Sequence, residues 1–112
     1  MYAVIFEVEP EPEGKSEYFE IATTLRENLE TMDGFISIER FQSLTNEGKL
    51  LSLSFWRDEA AITAWRNQAK HRHAQEKGYN QLFTDYRLRV AEVQRDYTKL
   101  DREEAPQDAP MN

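Results

Sequence analysis

The chain has 112 residues, a formal net charge of -7 and no cysteine. That length suits one domain, and the acidic balance leaves no basic stripe to neutralise phosphates, which argues against a nucleic-acid partner. The lack of cysteine excludes disulfides, thiolate metal sites and a cysteine nucleophile, and no apolar run nears the ~20 residues needed to cross a membrane.

The first element is read from "YAVIFEVEPEPEG". Tyr2, Val4, Phe6 and Val8 share one face of a strand and Ala3, Ile5 and Glu7 the other. This start is a strand and not a secretory leader, so a cytoplasmic protein is expected. Pro10 and Pro12 remove two backbone donors and should end the strand. Ser16 then reads as the N-cap of "EYFEIATTLRENLETM", where Tyr18, Ala22, Leu25, Leu29 and Met32 form one helical stripe. Gly34 stands where a left-handed cap belongs.

Two strands follow, "FISIERFQS" and "KLLSLSFW", joined by a turn around Asn46 and Gly48. In the second, Leu51, Leu53 and Phe55 lie opposite Ser52 and Ser54. Asp58 should cap the next helix, whose inner side carries Ala61, Ile62, Trp65 and Ala69, with Gly78 at its end or at a break. "YNQLFTD" reads as a further turn of helix and "YRLRVAEVQRDY" as the last strand. A domain over residues 1–97 is thus expected, with a disordered tail over 98–112 that has little to bury.

The order β-α-β-β-α-β is that of a ferredoxin-like α+β fold, an antiparallel sheet with both helices on one face. The other face carries apolar and aromatic residues where water would demand polar ones. A second copy of the sheet is the simplest cover, which gives a twofold homodimer.

The stretch "SFWRDEAAITAWRNQAKHRHAQEKGYNQLFTDYRLRVAEVQRDY" resembles the antibiotic biosynthesis monooxygenase (ABM) family: a strand ending in Trp, an acidic-capped helix bearing "AW", a His-containing turn and a closing strand ending in "RDY". The resemblance runs over residues 2–97. It implies a dimeric α+β barrel with a pocket between sheet and helices, and a monooxygenase that acts with O2 and no organic cofactor on a small aromatic or quinone-like compound. Haem-cleaving members, the alternative, place an Asn on the first strand, a Trp on the second helix and a His beyond it as iron ligand. Trp65 matches the Trp and His71 stands in for the His at shorter spacing, but Glu7 occupies the Asn position, and a carboxylate donates no hydrogen bond unless protonated. A third reading is a non-catalytic dimer that binds a small hydrophobic ligand.

His71 and His73 lie about 200° apart around a helix and cannot ligate one metal together, so no metal site is expected. His71 is the candidate base, since its imidazole titrates near neutrality; His73 reads as solvent-facing. Tyr86, Arg40 and Asn67 are candidates to orient the substrate, and Trp65, Phe6, Phe41 and Phe83 are candidate walls of the pocket. For the strand arginines Arg40, Arg87, Arg89 and Arg95, cross-strand pairing with acidic residues such as Glu7, Glu39 or Glu92 is the favoured reading, since it needs no ligand.

Overall fold

The computed structural model describes residues 1–68 and 83–109. Its elements are β1 (Tyr2–Pro10), α1 (Lys15–Leu29), β2 (Phe35–Gln42), β3 (Leu50–Trp56), α2 (Glu59–Arg66) and β4 (Phe83–Glu92), with a short 3-10 turn over Pro12–Gly14 before α1. The strands form one antiparallel sheet in the order β2-β3-β1-β4. This is the α+β ferredoxin-like arrangement expected from the element order.

Several boundaries differ from the sequence reading. Helix α1 starts at Lys15 with Gly14 at its N-cap, and no side chain caps it. The 3-10 turn, begun by a proline whose φ is already near the helical value, delivers the chain into α1, so Ser16 lies inside the helix. At the other end α1 stops at Leu29; Met32 donates its N–H to the Leu29 carbonyl at 3.0 Å and still packs on the core. Strand β4 begins at Phe83, so the helical turn expected over "YNQLFTD" is replaced by strand in its last three residues. Phe83 pairs with Pro10 across the sheet and packs against Phe6 and Tyr18. The strand also ends at Glu92, short of Tyr97. Ala69 and Gly78 lie outside the described residues.

Other local signals have their expected geometry. Gly34 has φ +87°, in the left-handed region. Asp58 Oδ1 accepts the Ala61 N–H at 2.8 Å and caps α2. Between β2 and β3, the Asn46 side chain accepts the Gly48 N–H at 3.1 Å while its carbonyl accepts that of Lys49 at 3.0 Å. Beyond β4, residues 93–109 carry no helix or strand. Local contacts fold them: Thr98 N–H reaches the Asp101 carbonyl at 2.8 Å, and the Arg102 guanidinium lies 5.0 Å from the Tyr97 ring centre.

On the helix side of the sheet the buried side chains form two clusters. One joins Leu29, Trp56, Ala61, Ile62 and Trp65, with Tyr2, Val4 and Ile38 against it. The other joins Val8, Tyr18 and Leu50, with Phe6, Ile21 and Phe83. Strand β3 fits this layer in an unexpected way. Its pairing puts Ser52 and Ser54 on the helix side and turns Leu51, Leu53 and Phe55 to the opposite face. Ser54 is buried and accepts the indole N–H of Trp56 at 2.9 Å, which explains a serine in the core.

Candidate functional site on the helix side of the sheet

Strand pairing arranges the helix-side residues in cross-strand rows, read from β2 to β4. Phe35, Trp56, Tyr2 and Glu92 form the first; Ile38, Ser54, Val4 and Val90 the second; Arg40, Ser52, Phe6 and Leu88 the third; Gln42, Leu50, Val8 and Tyr86 the fourth. The first two rows belong to the Trp56 cluster and the fourth to the Val8 cluster. The third row is the seam between them, with its Phe6 packed against the Val8 cluster. It is polar at its β2 end and apolar at its β4 end.

The apolar end opens outward. Tyr86, Leu88 and Val90 are 43%, 45% and 42% exposed, although strand alternation turns all three to the helix side. Phe6, Phe83 and Tyr86 form an aromatic group there, with ring centres 5.8 Å (Phe6 to Phe83), 6.0 Å (Phe6 to Tyr86) and 6.3 Å (Phe83 to Tyr86) apart. Such tilted and edge-on contacts favour aromatic guests as well as one another. At the polar end, Arg40 Nε is buried without a hydrogen-bond partner.

The structure therefore brings together Phe6, Phe83 and Tyr86 and sets Arg40 in the same row as Phe6. Trp65 is buried within the Trp56 cluster, on the far side of the second row. Asn67 is the exposed C-cap residue of α2, with its N–H on the Thr63 carbonyl at 3.1 Å. Phe41 falls on the opposite face, paired with Leu51, because neighbours on a strand point to opposite sides; Arg40 and Phe41 cannot line one pocket. His71 and His73 lie outside the described residues. Ser52 was missed as a site residue, though its place beside Arg40 follows once the β2–β3 register is known. Among the described residues no three His, Asp or Glu side chains gather as a metal site.

The opposite sheet face combines two surfaces. Ala3, Ile5, Leu51, Leu53, Phe55 and Phe41 make an apolar area, bordered by a charged corner of Glu7, Glu9, Lys49, Asp85, Arg87 and Arg89 around a depression of ≈ 250 Å³. Glu7 bridges Lys49 Nζ, at 2.8 Å, and Arg89 Nη1. Hydrogen bonds from Lys49 first and Arg89 second hold its carboxyl below the usual carboxylate range. The cross-strand pairing of Arg89 with Glu7 is one the sequence suggested; Lys49 was not foreseen in it. Glu7 thus faces away from the seam, and the first-strand side chain that meets the seam is Phe6.

A model of the family described as antibiotic biosynthesis monooxygenase matches residues 1–77. A jasmonate monooxygenase ABM of Pyricularia oryzae is 50% identical over 93 residues, which cover 83% of this chain and 43% of that protein, so the chain spans less than half of that relative. The uncharacterised protein YqjZ of Bacillus subtilis is 32% identical over 94 residues, 84% of this chain and 80% of YqjZ. The solved structure of Rv0793 from Mycobacterium tuberculosis superposes with a TM-score of 0.77 at 18% identity, over 87% of this chain and 98% of that one, and shares the fold. On the family match and these identities, the chain belongs to the antibiotic biosynthesis monooxygenase family.

Proposed function

We propose that the chain is a monooxygenase that inserts oxygen from O2 into a small, largely apolar, aromatic or quinone-like molecule seated along the seam, and that it works as a homodimer without an organic cofactor. The observation that carries this reading is the break in the core at the third row, floored by Phe6 and Leu88 and flanked by Phe83 and Tyr86. The jasmonate monooxygenase named among its relatives supports the reaction class.

The chemistry asks little of the protein. An electron-rich substrate loses a proton, and its anion, stripped of water, passes an electron to O2. The two radicals join as a peroxide, whose O–O bond breaks as the same carbon loses a second proton, so that one oxygen stays as a carbonyl, the other leaves as water and the substrate is itself the reductant. The needs are a dry aromatic wall, a base and a donor for the developing charge. Phe6, Phe83 and Tyr86 supply the wall. His71 is the proposed base, and Arg40, at the polar end of the row, is proposed to orient the substrate. Replacement of His71 by Ala should lower kcat by roughly 10²–10⁴-fold if it takes the proton.

Haem fits the described residues poorly. An amide donor for iron-bound oxygen is absent from β1 at the seam, where Phe6 stands, and Glu7 is turned to the other face and held by Lys49 and Arg89.

Oxygen uptake in an electrode cell, with hydroquinones, hydroxylated polycyclic phenols and jasmonate each offered in turn, tests the proposal. The expected result is enzyme-dependent O2 consumption with one ¹⁸O atom from ¹⁸O2 in the product and no need for added hemin. Tight binding of members of the panel with no O2 consumption would replace it with a non-catalytic binding dimer.

A further inference from the structure

Of the strand residues on the helix side, two carry charge: Arg40 in the third row and Glu92 at the far corner of the first. Arg40 and Ser52 are neighbours across β2 and β3. Among the described residues the Arg40 side chain has no ion pair or hydrogen bond, and its Nε is closed off from water. Among the described residues the Ser52 hydroxyl also has no partner. Nε alone is buried; the terminal nitrogens of Arg40 and the Ser52 hydroxyl stay open at the row, with the aromatic floor next in line. An arginine fork left open in this way matches a carboxylate.

We propose that Arg40 and Ser52 form the head-group end of the substrate site and that the substrate class is a small amphipathic carboxylate, with its acid at Arg40 and its apolar body over Phe6 and Leu88. The inference rests on the proposed function above and deepens it. Cross-strand spacing sets the scale: Arg40 to Phe6 spans two strand gaps, roughly 10 Å, and Arg40 to Leu88 three, roughly 14 Å. A carboxylate some four carbons from an aromatic ring fills that distance. Glu92 stands two rows away, so no acidic strand residue on this side competes for the fork. Arg40 is a specificity residue in this account; the base is a separate group.

Calorimetric titration of the intact protein with 5-phenylvalerate and with its neutral isostere 5-phenylvaleramide tests the proposal. The acid should bind about 10- to 100-fold more tightly than the amide, the range expected of hydrogen bonds to a charged group. Arg40→Gln should abolish that preference and leave amide affinity unchanged, and Ser52→Ala should weaken the acid alone by a few fold. Arg40→Lys keeps the charge but not the fork, and should retain only part of the preference; it also serves if the Gln variant fails to fold. Equal affinity for acid and amide, no binding of either, or a preference that survives in folded Arg40→Gln or is undiminished in Arg40→Lys would overturn the assignment. Oxygen uptake separates the two proposals. Acid-selective binding without any turnover leaves the anchor standing and removes the monooxygenase, whereas turnover with a KM unchanged by Arg40→Gln does the reverse.

Discussion

Gly34 links the end of α1 to the start of α2. Its φ of +87° suits glycine, and a Cβ built there would sit 2.6 Å from the Ala61 Cβ. Its carbonyl accepts the Arg57 N–H at 2.8 Å, and the Arg57 guanidinium grips Asp33 through both terminal nitrogens, at 3.1 and 3.0 Å, while its Nε meets Asp58. Gly34→Ala should therefore destabilise the fold by about 1–3 kcal/mol in urea denaturation, from strained backbone together with a displaced α2. The same clip predicts a pH dependence. Arg57 holds the Asp33 carboxyl below its ordinary 3.8, and the Ala61 N–H, then Arg57, do so for Asp58. Depressed folded values mean that the unfolded chain binds protons first. The stabilisation is thus fully present above pH 3.8 and is lost as pH falls through the lower folded values. The stability gap between the wild type and Asp33→Asn,Asp58→Asn should be level above about pH 5 and close toward pH 2; a gap that widens on acidification would reverse the assignment. Gly34 and Asp58 were legible in the sequence because turn and cap chemistry are local. The Arg57–Asp33 pair spans 24 positions and was not.

Element by element, the pattern of alternation revealed which residues share a strand face but not which face meets the helices. Strand β3 shows why. Its apolar side, Leu51, Leu53 and Phe55, looks like core in isolation, yet the pairing turns it away from α1 and α2 and gives the helices Ser52, Ser54 and Trp56. The indole N–H of Trp56 makes that choice workable by bonding the buried Ser54 hydroxyl at 2.9 Å. Ser54→Ala should cost about 1–3 kcal/mol in thermal or urea unfolding, since it leaves a buried donor unsatisfied; a neutral effect would show that the indole finds another acceptor. The candidate site was legible to the same degree. Phe6, Phe83, Tyr86 and Arg40 could be named as residues from type and approximate place, but Phe41 entered with Arg40 although adjacent strand positions face opposite ways. Ser52 became visible only through register, a relation between strands that a single chain's periodicity does not contain.

For the molecule as a whole, the two sides of the sheet have different tasks. The helix side carries a split core and the proposed substrate row. The other side presents Ile5, Leu51, Leu53, Phe55 and Phe41 beside a charged corner in which Lys49, Arg87 and Arg89 stand among Glu7, Glu9 and Asp85. Mixed charge around an apolar centre is the composition of a protein interface, and under a twofold axis such a surface can complement itself. In the proposed dimer this face is covered by its copy, and the helix-side seam is left free for substrate. Leu53→Glu, at the centre of the apolar area, should dissociate the dimer while the single-chain fold persists, since Leu53 lies outside both helix-side clusters. Sedimentation velocity on the wild type and Leu53→Glu at micromolar concentration is the most direct test of this division of the sheet. The wild type should sediment as a particle of twice the 13.2 kDa chain mass and Leu53→Glu as a folded single chain; a wild type found only as 13.2 kDa particles would rule out the paired sheets.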